Sequence, residues 1–471
     1  MATPFRLEGV IMKQTLTILH TNDVHASYAQ FVRQASYIKK RKQELEVAGE
    51  AYLLIDAGDH LDMSVDECLA TRGSVHLEML EELQYDAMTV GNNELIRVPP
   101  EEIRELSKSS SVAWLLANIK EADGSVIGGM KPSLLIEKAG IQIGIIGTSD
   151  QFEDLYENKY GYRNEETVSV IQQQAEQLRE QGAQLILHLS HLGFEEDRRI
   201  AKELVGFVDI VVGGHSHTVV ETPVMQDGVY IAQAGSLGNY VGELQVELED
   251  GKLGLVEGYL KEIDEEVPED PAMLAIWRNA QQETATFLGE KLTVLETALS
   301  HEEVLREMAT SLQGVWSADI GLMYGGGFLG GLDAGVVTRG DIFSKCRSMH
   351  SPIVMELRGD AIISLIRDHK KPEYMAKPIY GNGFRPQGTM IGTLGFSGVT
   401  WDDMNGEISN VRIGEESLEE TRIYTVGTGT PMLYEEVCGY PGVRDASLVD
   451  IKNRKMVKDV FLEYCRVKGN V

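Results

Sequence analysis

The sequence of 471 residues predicts an α/β fold divided into two domains. Short apolar or β-branched runs alternate with longer stretches whose apolar residues recur at helical spacing, which is typical of helices packed on buried sheets. The chain is also too long for a single hydrophobic core. Its composition, with 43% hydrophobic and 25% charged residues, is that of an ordinary globular protein.

Short runs between residues 15 and 245 have the character of buried strands, and each ends in polar or glycine residues. In chain order they are LTILHTND, AYLLIDAGD, DAMTVGNN, SVAWLLANI, IQIGIIGT, AQLILHLSH, VDIVVGGHSH and VYIAQAGS. Helical spacing predicts helices between several of them, for example over 31–47 and 166–180. Ligands of layered α/β folds bind where the carboxyl ends of strands converge, so these polar strand ends are the candidate site.

Charge and proline interrupt this pattern in EIDEEVPEDPA, residues 262–272, and a helical stretch follows over 272–288. We therefore predict a first domain over 12–262, a linker with a connecting helix over 263–294, and a second domain over 295–471. The second domain opens with a helical segment over 302–315 and a glycine-dense stretch, MYGGGFLGGLDAG. It is predicted to be a smaller α/β domain.

Charge and cysteine usage restrict the class of partner and the compartment. A formal net charge of -30 argues against nucleic acid or an anionic membrane as a partner, because the long-range field would repel them. The N-terminus lacks an apolar stretch of signal-peptide length, and no apolar run is long enough to span a membrane. The four cysteines are widely spaced, which favours reduced thiols. We expect a cytoplasmic protein that acts on a small molecule, with no protein partner inferable.

Polar side chains at five strand ends form a set that suits a pair of divalent cations. These residues are Asp23, His25, Asp59, Asn92, His191, His215 and His217. Each motif alone also fits a structural role, such as a turn or a helix cap for an aspartate. Their joint occurrence along one α/β region is what predicts a metal centre.

Coordination chemistry divides the seven side chains between two cations. Two metals about 3.5–4 Å apart need a shared anionic ligand, and Asp59 is the natural bridge. The other six divide into two sets, one for each metal: Asp23, His25 and His217, and Asn92, His191 and His215. Nitrogen and oxygen ligands without thiolate fit manganese, zinc, iron or cobalt, and do not choose between them.

The motifs that contain these residues resemble those of a known family. HTNDVH, DAGD, GNNE, LSHLG and GGHSHT, in that order, are similar to motifs of the calcineurin-like dinuclear metallophosphoesterases, specifically the 5′-nucleotidase family. ADIGLMYGGGFLGGLDAGVVTRGDIF, GTLGFSG and YTVGTG resemble parts of that family's C-terminal domain. The resemblance covers nearly the whole chain. It implies a four-layer metallophosphoesterase sandwich, a substrate-recognition domain, these seven metal ligands, and in-line attack on phosphorus by a metal-bound hydroxide.

The sequence departs from the family pattern directly after Asn92. The pattern GNHE would place a catalytic histidine where Asn93 stands, and Ile96 replaces the aspartate that orients that histidine. An amide can donate a hydrogen bond to a phosphate oxygen but delivers no proton to a leaving group. Losing a general acid costs about 10²–10⁴ in rate when the leaving group is poor. We therefore expect a bacterial cytosolic member that lacks the usual His/Asp pair and favours activated esters or anhydrides.

The second domain also departs from the pattern, since GGGFLGG lacks the arginine that commonly follows the triple glycine. Arg347 or Arg385 could hold a phosphate instead, because guanidinium pairs with phosphate bidentately. Phe384, Phe396 or Tyr440 could stack on a planar base. Each of these residues also fits the alternative of a surface arginine or a core aromatic.

The sequence thus predicts a dinuclear-metal phosphohydrolase that acts on a small phosphorylated metabolite, with a nucleotide as the leading candidate. Two alternatives stay open. One is a phosphodiesterase or pyrophosphatase acting on cyclic nucleotides, dinucleotides or nucleotide sugars. The other is a catalytically weak, metal-dependent nucleotide-binding protein.

Overall fold

The structure is a computed structural model, and it describes residues 13–152, 155–346, 350–378, 390–404, 406–452 and 455–469. The chain divides into two compact units, Met1–Thr284 and Ala285–Val471. The division falls inside one helix, Pro271–Leu288. Among the described residues, no helix combines the length and the apolar character needed to cross a membrane.

The strands and helices of the first unit alternate along most of its length. Its strands are β1 (Lys13–Thr21), β2 (Ala51–Asp56), β3 (Ala87–Thr89), β4 (Ala113–Leu115), β5 (Ile119–Lys120), β6 (Ser133–Lys138), β7 (Ile141–Ser149), β8 (Arg163–Asn164), β9 (Leu185–His191), β10 (Ile210–Gly213), β11 (Val224–Gln226), β12 (Val229–Gln233), β13 (Tyr240–Glu249) and β14 (Lys252–Glu262). Its helices are α1 (Tyr28–Ala48), α2 (Asp66–Ala70), α3 (Ser74–Glu82), α4 (Asn92–Arg97), α5 (Pro100–Ser109), α6 (Leu155–Tyr160), α7 (Thr167–Glu180), α8 (Phe194–Ala201) and α9 (Pro271–Leu288).

Two six-stranded sheets form the centre of this unit, with strand orders β14-β13-β1-β2-β3-β4 and β11-β12-β10-β9-β7-β6. Their facing side chains share one apolar core, to which Ile18 contributes from the first sheet and Ile145 from the second. Helices cover both outer faces: α7 buries Ile171 against the second sheet, and α1 buries Phe31 next to the first. This confirms the predicted four-layer α/β sandwich.

All the runs predicted as strands do form strands, namely β1, β2, β3, β4, β7, β9, β10 and β12. The predicted helices form as α1, α7, α9 and, in the second unit, α10 (His301–Trp316). Strands β6, β11, β13 and β14 were not predicted. They pair antiparallel at the sheet margins, where one face meets solvent and the apolar residues are interrupted by charged ones.

Parallel pairing brings the polar strand ends to one rim. Strands β1, β2 and β3 are parallel to one another, and so are β7, β9 and β10. The segments that follow parallel strands leave a sheet at the same edge. The loops that carry the candidate ligands therefore leave each sheet on a common side.

The second unit is smaller and also mixes helices with strands, as predicted. Its strands are β15 (Lys291–Leu295), β16 (Ile320–Tyr324), β17 (Gly335–Thr338), β18 (Pro352–Arg358), β19 (Leu394–Ser397), β20 (Val399–Met404), β21 (Glu407–Ile413), β22 (Glu416–Ser417), β23 (Ile423–Gly429) and β24 (Ser447–Ile451). Its helices are α10 (His301–Trp316), α11 (Arg339–Lys345), α12 (Gly359–Asp368), α13 (Pro372–Met375), α14 (Glu435–Cys438) and α15 (Val457–Gly469).

A five-stranded sheet of order β19-β16-β23-β18-β24 organises the second unit. Helix α10 begins at a capping box. The Ser300 side chain accepts the Glu303 backbone N–H, and the Glu303 carboxylate accepts the Ser300 backbone N–H. Its apolar face, including Leu305 and Leu312, is fully buried next to β16, β19 and β23. The glycine run follows β16 directly and forms a short 3₁₀ turn, Gly325–Gly327.

Candidate metal centre

Backbone hydrogen bonds join the loops that follow β1 and β2. The Asp23 N–H donates to the Gly58 carbonyl at 2.9 Å, and the His25 N–H donates to the Asp59 carbonyl at 2.9 Å. The parallel ladder of the two strands is thus continued by their loops. This pairing holds three of the candidate ligands in one short stretch of the rim.

Most of the candidate ligands have a backbone conformation that side chains other than glycine seldom adopt. Positive φ angles occur at Asp23 (51°), His25 (49°), Asp59 (52°), His215 (73°) and His217 (56°). Each such residue costs about 1–2 kcal/mol of local conformational energy. Strain of this kind collects at functional sites, where the surrounding structure holds it in place.

The first group of donor atoms comes from Asp23, His25 and His217, whose ligating atoms lie within 4.8 Å of one another. The Nε2 atoms of His25 and His217 are 2.9 Å apart although the residues are separated by 192 positions. The His217 Nε2 atom is also 3.3 Å from Asp23 Oδ1. Two imidazole nitrogens and a carboxylate oxygen therefore face one small volume.

The second group comes from Asp23, Asp59 and His191, again within 4.8 Å. His191 lies at the end of β9 and is completely buried. Its Nδ1 atom is 2.7 Å from the Ala57 carbonyl oxygen, to which it must donate. The other ring nitrogen, Nε2, is thereby left to face Asp59 Oδ2 at 3.4 Å. A backbone carbonyl that fixes the tautomer is the usual support of a metal-binding histidine.

Asn92 and His215 complete the convergence. The Asn92 Oδ1 atom lies 2.8 Å from His215 Nδ1 and 3.3 Å from His191 Nε2. Asn92 is the first residue of α4, directly after the glycine that ends the β3 segment. The structure thus brings the seven predicted side chains together at one place.

Two carboxylates lie between the imidazole groups rather than one. Asp23 belongs to both donor groups, while Asp59 Oδ2 is 3.8 Å from His25 Nε2 and 3.4 Å from His191 Nε2. The bridging role of Asp59 stays a prediction, and the distances give Asp23 a comparable position.

The buried carboxylates create a field that favours positive charge. Burial acts to raise the pKa of Asp23, but hydrogen bonds from His217 and His25 outweigh it and lower the pKa. Burial acts to lower the pKa of His191, yet Asp59 and Asp23 raise it to about 10. Carboxylate, amide oxygen and imidazole nitrogen are donors that first-row divalent metals accept. The residues present therefore fit a divalent cation.

Glu94 supports the Asp59 loop and was not among the residues predicted from the sequence. Its buried carboxylate accepts the backbone N–H groups of Asp59 at 3.1 Å, Gly91 at 2.8 Å and Leu61 at 2.8 Å. Burial and then the charge of Asp59 raise the pKa of Glu94 to about 7. The side chain joins the Asp59 loop to the start of α4. Its place in the quoted GNNE motif was the available signal.

Two further residues support the centre. Asn22 Nδ2 donates to Asp23 Oδ2 and to the Gly235 carbonyl, both at 2.7 Å. Asp150 follows β7 and places Oδ2 3.6 Å from His215 Nε2. Both residues stand at polar strand ends, as the predicted ligands do, and that position was the available signal in the sequence.

Asn93 is held against Asp59 by two hydrogen bonds. Its backbone N–H donates to Asp59 Oδ1 at 2.8 Å, and its side-chain Nδ2 donates to Asp59 Oδ2 at 2.6 Å. One N–H hydrogen of the Asn93 amide is thus engaged by the Asp59 carboxylate. Ile96 is half-buried, and its carbonyl accepts a hydrogen bond from the Tyr160 hydroxyl.

The predicted substrate residues have mixed placements. Arg347, Phe384 and Arg385 lie outside the described residues. Phe396 is in β19 and 8% exposed. Tyr440 is completely buried, with its ring stacked on Tyr374 at 5.0 Å and 14°. In this structure Tyr440 offers no free ring face to a base, because burial and the neighbouring ring occupy it.

Comparison with known proteins gives the same picture in both halves of the chain. The family model described as calcineurin-like phosphoesterase matches residues 16–219. The model described as 5′-nucleotidase, C-terminal domain, matches residues 285–430. Together these matches include all seven candidate ligands and the glycine-rich segment of the second unit.

Full-length relatives share this arrangement. The chain is 26% identical to "uncharacterized metallophosphoesterase YunD" of Bacillus subtilis over 96% of this chain and 99% of that protein. It is 25% identical to a 5′-nucleotidase of Vibrio vulnificus over 92% of this chain and 88% of the relative. The solved structure of Haemophilus influenzae NAD nucleotidase matches with a TM-score of 0.60, 16% identity and 97% coverage of each chain. The chain belongs to the 5′-nucleotidase family of calcineurin-like metallophosphoesterases.

Proposed function

We propose that this chain hydrolyses a small phosphorylated metabolite, with a nucleotide as the leading candidate, and that it uses two divalent cations. The observation that carries the proposal is the convergence of seven oxygen and nitrogen donors from five strand ends. The family supports phosphoester hydrolysis, and relatives named 5′-nucleotidase support a nucleotide substrate. Manganese, zinc, iron and cobalt all fit these donors.

The chain's own residues would hold the cations and the substrate in place. Asp59 would lie between two ligand sets, which are Asp23, His25 and His217, and Asn92, His191 and His215. Divalent cations bound there lower the pKa of water and polarise phosphoryl oxygens. The Ala57 carbonyl orients His191, and Glu94 fixes the Asp59 loop. A pre-set ligand geometry of this kind avoids reorganisation during the reaction.

Asn93 favours a second candidate within the same chemistry. Its amide has no proton to transfer, and one of its hydrogens is engaged by Asp59. Alkoxide leaving groups need a general acid, whereas phosphate and phenolate groups need little help. The observation therefore favours a pyrophosphatase or phosphodiesterase acting on nucleotide anhydrides, dinucleotides or nucleotide sugars over a monophosphatase. Cyclic nucleotides expel an alkoxide, so this argument places them with the monophosphates and does not favour them.

A substrate screen with products identified by chromatography tests the proposal, because cleavage of a nucleotide sugar or a cyclic nucleotide releases no inorganic phosphate. Purified protein with added MnCl₂ is assayed on nucleoside monophosphates, nucleotide sugars, cyclic nucleotides and p-nitrophenyl phosphate. We expect metal-dependent turnover that EDTA abolishes, with anhydrides and the activated ester ahead of monophosphates. Asp59→Ala should abolish turnover, while Asp227→Asn, an exposed change of one charge, should not.

Metal binding without turnover would contradict the proposed hydrolase. Protein that binds manganese but turns over none of these substrates would replace the hydrolase with the metal-dependent nucleotide-binding protein. Metal analysis by mass spectrometry gives the number of cations per chain, and a value of one would contradict the dinuclear proposal.

We also propose that the protein works in the cytoplasm. The buried cysteines Cys68, Cys438 and Cys465 are not joined in disulfides. Unpaired thiols are typical of a reducing compartment. Cell fractionation with compartment markers tests this proposal, and recovery of the protein outside the cytoplasmic fraction would contradict it.

A further inference from the structure

Asp150 lies beside the ring of His215, next to the nitrogen that faces away from Asn92. It follows β7 directly, and its Oδ2 atom is 3.6 Å from His215 Nε2. The other ring nitrogen, Nδ1, faces Asn92 Oδ1 at 2.8 Å. The two nitrogens of an imidazole point away from each other. Asp150 therefore acts on the centre through the His215 ring.

The second sheet fixes the position of Asp150. Strand β7 pairs parallel to β9 up to Ser149 and His191, and the Asp150 backbone N–H then donates to the His191 carbonyl at 3.0 Å. Asp150 is thus bonded to the main chain of one candidate ligand and faces the side chain of another. We call Asn92, His191 and His215 the second ligand set. Two of its three members contact the residue that ends β7.

The His215 imidazole has little freedom to turn. The Phe152 ring meets it edge to face at 6.0 Å and 88°, and the His191 ring lies at 5.2 Å and 66°. Phe152 itself packs near the completely buried Tyr156, with ring centroids 6.3 Å apart. Each nitrogen of the His215 ring is therefore kept beside its own neighbour.

A neutral imidazole carries one proton, and the position of that proton decides which nitrogen can bind a cation. For His215 Nδ1 to act as a donor beside Asn92 Oδ1, the proton must be on Nε2. The Asn92 oxygen by itself would attract the proton to Nδ1, whereas a carboxylate beside Nε2 stabilises the form that can bind a cation. In the described part of the chain, Asp150 has no lysine or arginine partner. Its charge is therefore available to the imidazole.

We propose that Asp150 is a positioning residue for His215. Its carboxylate keeps the proton on Nε2 and leaves the Nδ1 lone pair free for a cation held by the second ligand set. The inference deepens the proposed function and rests on the second of its two cation positions. Asp150 thereby sets the affinity of that position and has little effect on the first ligand set, which is Asp23, His25 and His217.

Calorimetric titration of the full chain, freed of metal with EDTA, with MnCl₂ tests the proposal through binding and needs no turnover. Asp150→Asn keeps the size of the side chain and removes its charge. It should weaken one of two binding steps by about tenfold, the low end of the usual range of about 10–100-fold, because the His215 and Asp150 side chains are 27% and 36% exposed. Asp227→Asn, the same change at an exposed position, should alter each step by less than about twofold.

Further variants assign the affected step. Asn92→Ala should weaken the same step as Asp150→Asn, whereas His217→Ala should weaken the other one. Asp150→Glu retains a carboxylate and should keep the affinity within about threefold of the wild type. A residue that served only to pack the end of β7 would not show this rescue by charge.

Equal manganese affinities of Asp150→Asn and the wild type would overturn the inference. So would weakening of the step that His217→Ala affects, or failure of Asp150→Glu to keep the affinity. A wild type that binds a single cation would contradict the dinuclear proposal; the inference then holds if Asp150→Asn weakens that step and fails if it does not. The expected binding pattern in a protein without turnover would contradict the hydrolase and support this inference.

Discussion

At the scale of single residues, the proposed preference for activated leaving groups depends on Asn93. Its side chain lies against Asp59 at 2.6 Å, in the position where the family pattern has a histidine. An imidazole can exchange a proton near neutral pH, and a carboxamide cannot. The neighbouring Ile96 supplies no carboxylate to orient an imidazole. Asn93 therefore places a hydrogen-bond donor, but no proton donor, beside Asp59.

Restoring the acid should change the substrate preference. The double variant Asn93→His with Ile96→Asp should raise kcat/KM for AMP by at least about tenfold, because general-acid catalysis is worth about 10²–10⁴ for poor leaving groups. Turnover of p-nitrophenyl phosphate should change by less than about threefold, since its phenolate leaves unaided. Steady-state kinetics on both substrates measure the ratio. An unchanged ratio would remove the missing acid as the cause of the preference.

Another residue-scale prediction concerns His188, which is buried in β9 with Nε2 2.7 Å from Thr148 Oγ1. Burial lowers the pKa of His188 from 6.5 to about 3. The unfolded chain therefore binds more protons between these values, and stability is lost as pH falls below 6.5. Between pH 7.5 and pH 5.0 this residue should cost about 2 kcal/mol of the free energy of unfolding.

Urea unfolding at the two pH values measures that cost. The His188→Gln variant keeps a polar group for Thr148 but does not titrate. Its loss of stability on acidification should be smaller than that of the wild type by about 2 kcal/mol. Parallel losses in the two proteins would show that His188 does not contribute to the pH dependence.

At the scale of elements, the close approach of the β2 and β3 loops positions Asp59. Gly91 caps α4, and a Cβ atom there would fall inside contact distance of Asp59 Oδ1 and 2.6 Å from the Asp59 backbone N. Its φ of -100° is open to any residue. Space rather than conformation therefore requires glycine at this position. The same loop receives Glu94, so one short segment fixes both the carboxylate and its amide neighbours.

Substitution of this glycine should damage the centre. Gly91→Ala should destabilise the fold by about 2 kcal/mol, since overpacking typically costs 1–3 kcal/mol, and should weaken manganese binding by tenfold or more because Asp59 must move. Gly314→Ala is the control: nothing lies within 4 Å of its added Cβ in α10, and it should stabilise by about 0.5–1 kcal/mol. Calorimetry and urea unfolding measure both effects. Normal manganese affinity in Gly91→Ala would contradict the packing argument.

At the scale of the whole molecule, the chain forms two compact units. All seven candidate ligands belong to the first unit. Helix α9 runs through the division between them. A cation held by these ligands should therefore stabilise the first unit directly.

Thermal unfolding with and without manganese tests this separation. A ligand at 100 times its dissociation constant stabilises the unit that binds it by about 2.7 kcal/mol, which corresponds to about 5 °C in Tm for a unit of this size. Scanning calorimetry should show that one transition shifts and the other does not. Asp59→Ala should abolish the shift. A single transition that moves as a whole would show that the two units unfold together.

Much of the fold and of the metal centre could be predicted because the signals are local. Buried parallel strands are continuous apolar runs, and glycine and polar residues mark their ends. The candidate ligands at those ends could also be predicted, because HTNDVH and GGHSH place them directly after the apolar runs. Strands β13 and β14 were not predicted, because charged residues at positions such as Glu247 and Glu257 interrupt their apolar pattern.

The sequence by itself determined the order of strands and helices, the donor types at the strand ends and the absence of a proton donor at Asn93, since each depends on neighbouring residues. Tertiary structure decided what depends on distance. It placed His25 and His217 2.9 Å apart across 192 positions, made Glu94 the acceptor of three N–H groups, and buried Tyr440 against Tyr374. The physical reason is that packing and hydrogen bonding join residues far apart in the chain, whereas periodicity and residue type report only on nearby ones.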